Sequence, residues 1–555
     1  MLMALLRFCS ASDMFANAHV DGFSAKQPKV RYSSNTILMI TGAQFWYESA
    51  RRELQRRVGG AAPPLERARN VVLVVGDGLG LPTLAAARLL RGQREGRLGE
   101  DTWLAWDRFP ALALAKTYNS DAQVGDSAAC ATALLSGVKA NHGTLGVSGA
   151  RFNQCDDAGR PVSSLLSWAQ DEGLATGLVT NTRLTHATPA ALYAHARSRH
   201  WEDDAKVPVS WRRSCKDIAR QLVEDSPGRD LNVVLGGGGR HLRGGGGGGG
   251  GGGGRRLDGR DLAGDWLRDK RRRGVAAHSV STAAELARVS TDHVDYLLGV
   301  FADSHLSYEV DRPAREPSLT EMTAVALRLL QRSDRGFFLF LEGGRIDHAS
   351  HLNNVYRVLE ETLELERAVL EVLRRVNVSD TLLVFTSDHS SVLAFGGMAV
   401  PRGNSVYGTD GARSDVDGLP YATLQFGNGP APHPAAGRRD PAPAAAAPRS
   451  WATHGGEDVP VFAQGPLAAT LFAGVFDQSY VPHAVAYAAC LGEHRQRCAA
   501  RRPPGDCGDP GDPASSSSRQ RRGDPGGPAT SAAPATLLSA AGCCFCLAVL
   551  AGLGS

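Results

Sequence analysis

The fold is decided by residues 70–80, which read NVVLVVGDGLG. Five apolar residues, 71–75, run directly into Gly76, Asp77 and Gly78. A short run of β-branched residues that stops at a glycine and a polar residue is typical of a buried parallel strand. In open α/β sheets, ligands bind beyond the carboxyl ends of such strands. We therefore predict an α/β fold in which Asp77 lies at the ligand-binding edge of the sheet.

Two later segments repeat this pattern. Residues 337–341 (FFLFL) run into Glu342, and residues 382–385 (LLVF) are followed within four residues by Asp388 and His389. A single acid of this kind is more often a turn residue than a ligand. Three strands that end in the same way bring their donors to one edge. The sequence thus predicts a three-layer sandwich with a large, mainly parallel central sheet and a cluster of oxygen and nitrogen donors at its rim.

The segment after Glu342 adds two more donors. Asp347 and His351 are four residues apart at the head of a helical pattern over residues 353–376. This spacing places both side chains on one helix face, where they can share an ion. An isolated pair of this kind is usually a surface pair, but here it follows a strand-end cluster. Mixed carboxylate and imidazole ligands suit zinc, whereas an all-oxygen set suits magnesium.

A candidate phosphate-binding helix start lies in residues 124–132, which read VGDSAACAT. Asp126 is a good N-cap, and the small residues after it allow close packing of a helix start. Ser127 then falls in the first turn, where free N–H groups and the helix dipole favour a phosphate. An ordinary helix start has the same sequence pattern, so this segment alone does not identify a site.

The overall composition excludes some classes of protein. The chain has 555 residues, 43% of them apolar and 21% charged, with a net charge of +4. Such a balanced charge does not suggest a nucleic-acid partner. Ten cysteines are too few for a disulfide scaffold in a chain of this length. Together with the sequon at Asn377, they favour an oxidising compartment.

Several segments fall outside the predicted domain or interrupt it. Residues 1–44 form a leader without a signal-peptide core, which needs about 7–15 apolar residues. Residues 244–254 are an unbroken glycine run, which we interpret as a surface insertion. Residues 430–448 are rich in alanine and proline, and residues 499–535 form a polar linker. The last segment, 536–555, is a hydrophobic tail.

The C-terminal tail predicts attachment to a membrane. Small residues, a polar spacer and a terminal apolar stretch form the pattern of a GPI-anchor signal. A single-span tail anchor is the alternative, and the lack of a charged residue after the tail favours GPI. We expect a GPI-anchored protein on the extracellular face of the cell membrane, although the N-terminal leader does not provide the signal peptide that this location requires.

Taken together, seven separated stretches resemble the alkaline phosphatases of vertebrates. They read NVVLVVGDGLG, FPALALAKTYN, VGDSAACATALLSGVKAN, RLTHATPAALYAHA, GFFLFLEGGRIDHASH, TLLVFTSDHS and ATHGGEDVPVFAQGP. The resemblance covers residues 45–498, apart from the glycine run and the Ala/Pro-rich segment. It implies hydrolysis of phosphate monoesters at alkaline pH through a phosphoserine intermediate.

The resemblance also implies the roles of individual residues. Ser127 would be the nucleophile, Arg199 would hold the phosphate, and His186 matches a histidine beside the substrate. Two zinc ions and one magnesium ion per subunit would be bound. One zinc would take Asp347, His351 and His454, and the other Asp77, Asp388, His389 and Ser127. Magnesium would take Asp77, Thr188 and Glu342.

The remaining family features concern the outer parts of the chain. Cys155–Cys215 and Cys490–Cys498 match two family disulfides. Phe45 and Trp46 resemble the start of an N-terminal arm that reaches over the partner in a homodimer. A peripheral calcium site is doubtful because Ala302 replaces an acid and the glycine run replaces a loop that carries another. Cys130 also departs from the family pattern, close to the nucleophile.

Three alternative functions remain. A sulfatase needs a Cys or Ser in a C/S-x-P/A-x-R setting, which is absent around Ser127. A phosphodiesterase of the same superfamily usually has a threonine nucleophile and lacks a match to Arg199. A catalytically impaired, GPI-anchored surface protein of the same fold is suggested by Cys130 and the insertions, but every expected metal ligand is present.

Overall fold

The computed structural model describes residues 42–59, 66–155, 159–245, 253–415, 418, 420–430 and 445–499. All of them belong to the first of two units, residues 1–501 and 502–555. Most of the leader, of the glycine run and of the Ala/Pro-rich segment lies outside the described residues, as do nearly all of the linker and the whole hydrophobic tail. The predictions for these segments are therefore not addressed by the fold.

The stretch that reads NVVLVVG, Asn70–Gly76, forms a central strand of a ten-stranded sheet. Along the chain, the strands of this sheet are β1 (Asn70–Gly76), β2 (Ala111–Lys116), β5 (Ala175–Arg183), β6 (Val233–Gly237), β7 (Ala277–Val280), β8 (Tyr296–Val300), β9 (Phe337–Gly343), β10 (Thr381–Thr386), β18 (Val459–Gln464) and β19 (Gly474–Asp477). Their spatial order is β19-β2-β18-β10-β1-β9-β5-β6-β8-β7. Only β18 runs antiparallel to its neighbours in this sheet, which confirms the predicted α/β fold with a mainly parallel sheet.

Nine short strands form four small sheets beside the main one. They are β3 (Val147–Ser148), β4 (Arg160–Pro161), β11 (Ser390–Ser391), β12 (Leu393–Phe395), β13 (Thr409–Arg413), β14 (Pro420–Ala422), β15 (Leu424–Gly429), β16 (Ala445–Pro448) and β17 (His454–Gly455). The pairing of β11 with β17 matters for the site, because it sets Ser391 opposite His454.

The helices cover both faces of the main sheet. In chain order they are α1 (Ala43–Val58), α2 (Leu81–Arg94), α3 (Ser127–Ser136), α4 (Leu165–Asp171), α5 (Ala187–Ala190), α6 (Ile218–Glu224), α7 (Gly239–Leu242), α8 (Leu262–Arg272), α9 (Ala283–Ala287), α10 (Leu319–Leu330), α11 (Arg345–His351), α12 (Val355–Arg375), α13 (Ala468–Leu471), α14 (Tyr480–Ala489) and α15 (Gln496–Ala499). Alternate residues of a strand point to opposite faces. Accordingly, Leu73 packs with α3 and α14 in one core cluster, and Val74 packs with α2, α10 and α12 in another.

The strand register explains why the acids meet at one edge. Val75 of β1 lies opposite Glu342 of β9 and opposite Thr386 of β10. The residues that follow these strands therefore emerge at the same level. Gly78 makes the turn after β1 with φ +73°, and a Cβ atom there would lie 2.6 Å from Asp347 Oδ1. A glycine is thus required both by the backbone conformation and by the close approach of Asp347.

The predicted helix over residues 353–376 differs in one respect. Asp347 and His351 lie on a separate seven-residue helix, α11, and the chain breaks at Asn353, which has φ +53°. The long helix α12 starts only at Val355. The four-residue spacing still places both side chains on one face, because α11 itself is helical.

The disulfides and the ends of the glycine run are further features of the fold. The disulfides Cys155–Cys215 and Cys490–Cys498 are both present, and Cys130 is a buried free thiol. The start of the glycine run lies against the residues that follow it: Gly244 pairs with Arg256, and the Gly245 N–H donates to the Arg256 carbonyl at 3.1 Å. Across the described ranges, no helix is long and apolar enough to span a membrane.

Candidate active site

Ser127 begins helix α3 at the carboxyl edge of the sheet. Asp126 caps this helix, and its Oδ2 accepts a hydrogen bond from the Ala128 N–H at 3.2 Å. This confirms the predicted N-cap. The Ser127 side chain is buried, and its Oγ lies 3.2 Å from His389 Nε2. The hydroxyl therefore points at the donors that follow β10 rather than at solvent.

The first donor group consists of Asp77, Asp388 and His389. His389 Nε2 lies 3.6 Å from Asp77 Oδ1 and 3.4 Å from Asp388 Oδ2, and all three side chains are fully buried. The other oxygen of Asp388 accepts hydrogen bonds from the Gly78 and His389 N–H groups. One carboxylate oxygen is thus fixed by the backbone while the other faces the group.

The second group consists of Asp347, His351 and His454. His351 Nε2 lies 3.1 Å from Asp347 Oδ2 and 3.3 Å from His454 Nε2. The rings of His454 and His389 stack with their centroids 3.6 Å apart, so the two groups adjoin. The two groups adjoin because β17, which begins with His454, pairs with β11, which directly follows His389.

All three of these histidines are oriented in the same way. The Nδ1 atoms of His351, His389 and His454 lie 2.6, 3.1 and 2.8 Å from backbone carbonyls of Ala452, Ser390 and Gly125. A carbonyl partner requires the proton on Nδ1, which leaves the Nε2 lone pair free for a cation. Hydrogen bonds of this type are the usual supports of metal-binding imidazoles.

The third group consists of Asp77, Glu342 and His186, whose ligand atoms lie within 4.8 Å of one another. Thr188 is close by, because its Oγ1 donates to Asp77 Oδ2 at 3.4 Å. The sequence pattern did not place His186 with these acids. Asp77 belongs to both the first and the third group, as expected of a bridging carboxylate.

Sequence reasoning missed two threonines of this group. Thr180 and Thr182, on β5, both donate hydrogen bonds from Oγ1 to Glu342 Oε2. Thr180 and Thr182 are two residues apart on a strand and therefore lie on one face. This spacing is the sequence feature from which their joint contact with Glu342 could have been predicted. Strand pairing then sets Thr180 opposite Glu342.

Three carboxylates of the site, Asp77, Glu342 and Asp388, have raised pKa values, whereas at Asp347 the effect of burial is outweighed by the adjacent His351, which lowers the pKa. Burial, followed by the neighbouring acids, raises the pKa of Asp77 well above its usual range. Burial also raises the pKa of Asp388 to about 6 and that of Glu342 to about 7. One oxygen in each of Asp77, Glu342, Asp347 and Asp388 is buried without a hydrogen-bond partner among the described residues. Buried carboxylates are stabilised by a nearby positive charge, such as a coordinated metal ion, so these residues fit divalent cations.

Arg199 lies at the open side of the site. Its Nη1 donates to Asp126 Oδ2 at 3.3 Å, and its Nη2 lies 3.3 Å from His186 Nε2. Burial raises the pKa of Asp126, but Arg199 and the Gly143 N–H outweigh this effect and lower it overall. The capping carboxylate therefore stays ionised and holds the guanidinium beside the N-terminus of α3.

Cys130 lies on the same helix. Its Sγ donates to the Thr117 carbonyl at 3.1 Å, and a Cβ atom on Gly125 would lie 2.3 Å from this sulfur. The thiol therefore fills the space left by Gly125, whose carbonyl accepts the His454 hydrogen bond. The structure gives Cys130 a packing role under the loop that positions His454.

Comparison with known proteins agrees with this site. The profile of the family "Alkaline phosphatase" matches residues 68–491. The tissue-nonspecific alkaline phosphatase of Gallus gallus is 45% identical over 482 residues, covering 83% of this chain and 92% of its own. The tissue-nonspecific isozyme of Homo sapiens is 41% identical, with 82% and 90% covered. The membrane-bound alkaline phosphatase of Bombyx mori is also 41% identical, with 82% and 87% covered.

Solved structures share the fold. The alkaline phosphatase of Thermus thermophilus has a TM-score of 0.55 at 26% identity and covers 79% of this chain and 96% of its own. The enzyme of the Antarctic bacterium TAB5 has a TM-score of 0.55 at 22% identity, with 78% and 100% covered. Because the family profile spans most of the chain and the relatives are matched along nearly their full length, this chain belongs to the alkaline phosphatase family.

Proposed function

We propose that this alkaline phosphatase hydrolyses phosphate monoesters through phospho-Ser127, with two zinc ions and one magnesium ion per subunit. One observation carries the proposal: Ser127 Oγ, at the N-terminus of α3, points into two adjoining carboxylate–imidazole groups. Membership of the family gives the reaction, and the geometry supports the residues that perform it.

The donor atoms of each group indicate which metal ion it would bind. The first and second groups mix carboxylate and imidazole, which suits zinc, and Ser127 Oγ would complete the first. Glu342, Thr188 and one oxygen of the bridging Asp77 form a mainly oxygen set, which suits magnesium. When bound, these ions would stabilise the negative charge that develops on the attacking and leaving oxygens and would lower the pKa of the Ser127 hydroxyl.

The residues of the chain then divide the work of phosphoryl transfer. Arg199 holds two phosphate oxygens with its fork of donors, and the free N–H groups of α3 stabilise the same charge. The Ser127 oxygen forms its bond to phosphorus as the bond to the leaving oxygen breaks. The hydroxyl proton passes to solvent, and the leaving oxygen takes a proton from water. Water then attacks phospho-Ser127 from the opposite side and releases inorganic phosphate and free Ser127.

The substrates are expected to vary in their alcohol. The residues named above contact the phosphate or the metals, and they leave the alcohol outside. Nothing in the described part of the chain favours the catalytically impaired alternative, since all three donor groups are assembled and Cys130 packs away under Gly125.

The direct test is an assay of the full chain, secreted with a working signal sequence, on a chromogenic phosphate monoester. We expect turnover at alkaline pH that a chelator removes and that zinc and magnesium together restore. An enzyme that binds both metals at the three groups but never turns over the ester would contradict the proposal and support the impaired alternative.

We also propose a GPI anchor and a homodimer. The tail at residues 536–555 has the composition of a GPI signal, and one relative is named as membrane-bound. Phospholipase C specific for phosphatidylinositol should release the activity from cells that express the full chain.

The resemblance of Phe45 and Trp46 to an arm that reaches a partner supports a homodimer. Sedimentation of the released enzyme as a monomer would rule the homodimer out.

A further inference from the structure

A second carboxylate–imidazole cluster lies outside the active site, near the C-terminal end of the described chain. It consists of His483, Glu493 and His494, whose ligand atoms all lie within 4.8 Å of one another. Glu493 Oε1 is the central atom: it is 3.7 Å from His483 Nδ1 and 3.6 Å from His494 Nε2. Tetrahedral zinc with bonds of about 2.0–2.1 Å separates its ligand atoms by roughly 3.4 Å. The two separations that involve Glu493 Oε1 are therefore close to those of a zinc site, and the third lies within 4.8 Å.

The fold holds these three residues in place by independent means. His483 lies on α14, whereas Glu493 and His494 lie on the loop closed by the disulfide Cys490–Cys498. Because the disulfide ties both ends of that loop, its two side chains are kept against the helix. His483 packs against the ring of Tyr47 at 4.7 Å and that of Trp168 at 5.8 Å.

A second observation points to a ligand at this place. The His483 side chain is only 1% exposed, and its Nδ1, which faces Glu493, has no hydrogen-bond partner among the residues that the structure describes. His494 Nε2 is likewise buried and without a partner there. Buried imidazole nitrogens are normally hydrogen-bonded or bound to a metal. His483 Nδ1 and His494 Nε2 lie near the same carboxylate oxygen, Glu493 Oε1, whereas His483 Nε2, which also lacks a partner among the described residues, lies beside Gly137.

Both imidazoles of the cluster are available as neutral ligands, although the single carboxylate is also paired with Arg51. Burial lowers the pKa of His483 to about 4, and burial also lowers that of His494, so both rings stay neutral. Arg51 of α1 donates from Nε to Glu493 Oε2 at 3.0 Å, which leaves Oε1 for the ion. Two neutral imidazoles and one carboxylate are the ligand set of zinc sites that keep a position for water.

We propose that His483, Glu493 and His494 form an additional, exchangeable site for zinc or a similar divalent transition metal. Glu493 and His494 are partly exposed, so the ion can enter from solvent and keep a water ligand. The site also touches the nucleophile helix from behind. His483 Nε2 lies 2.1 Å from where a Cβ on Gly137 would be, and Gly137 terminates α3. A metal here would brace the end of the helix that begins with Ser127.

The test counts zinc on the full secreted chain, dialysed against buffered free zinc and measured by mass spectrometry. We expect His494→Ala and Glu493→Gln each to hold one zinc fewer than the unmodified chain, with phosphatase turnover within about twofold of it, because neither residue belongs to the active site. His278→Ala, which removes an exposed histidine of β7, is the matched control and should hold as much zinc as the unmodified chain.

A direct readout separates the new site from the active site. Cobalt(II) added after the active site has been filled with zinc and magnesium should give visible absorption in the unmodified chain and in His278→Ala, and lose it in His494→Ala. Equal zinc counts and equal cobalt spectra in all variants would overturn the proposal. If one variant is not secreted, the other answers the same question, since both change partly exposed side chains.

Discussion

Ser127→Ala is expected to lower kcat by at least about 10³-fold while the zinc and magnesium contents stay unchanged. The alanine lacks the oxygen that takes the phosphoryl group, but the carboxylates and imidazoles that bind the metals come from other elements. The Ser127 hydroxyl contacts these donors through His389, whose Nε2 lies 3.2 Å from Ser127 Oγ. The measurement combines turnover, metal analysis and acid trapping of a phosphoenzyme from radiolabelled substrate.

Ser136→Ala is the matched control for this prediction. Ser136 is buried at the other end of the same helix, and its Oγ donates to the Thr132 carbonyl at 2.6 Å. It should keep turnover within about threefold of the unmodified chain, because its loss affects only helix packing. A trapped phosphoenzyme in Ser127→Ala, or full activity, would show that another residue is the nucleophile.

Asp347→Asn is expected to remove one zinc per chain and lower kcat/KM by at least about 10²-fold. Asp347 is the only carboxylate of the second group, where it faces His351 and His454. The amide has nearly the same volume, so packing around Gly78 is kept while the negative charge is lost. Metal analysis and kinetics on the same preparation test this result.

The control for the charge is Asp334→Asn, at an exposed turn between α10 and β9. It should leave both zinc content and kcat/KM unchanged within error, because surface substitutions of this kind have small effects. Asp347→Asn with a full complement of zinc would mean that His351 and His454 hold the ion without the carboxylate, and the assignment of the second group would be wrong.

The sequence predicted the centre of the molecule better than its surroundings. The ends of the central strands could be predicted, because a short apolar run that stops at a glycine and a polar residue is typical of a buried parallel strand. Parallel pairing then forces Asp77, Glu342 and Asp388 to one level. The N-cap role of Asp126 was also visible, since it depends only on neighbouring residues.

The missed features depend on contacts between distant segments. The break at Asn353 has no proline or glycine to announce it, and it forms where α11 packs against the site. The hydrogen bonds from Thr180 and Thr182 to Glu342 require the pairing of β5 with β9. The cluster around Glu493 was invisible because His483 is ten residues away, and only the disulfide loop brings them together.

Because Gly244 pairs with Arg256, the length of the segment between these two residues can change at little cost to folding. Gly244 and Arg256 are already adjacent, so any segment between them starts and ends at the same point of the surface. The entropy of closing such a loop grows only with the logarithm of its length. Repeat expansion or contraction there would be nearly neutral for folding. For the same reason, we expect that an inserted domain or an affinity tag between Gly244 and Arg256 would leave the main sheet undisturbed.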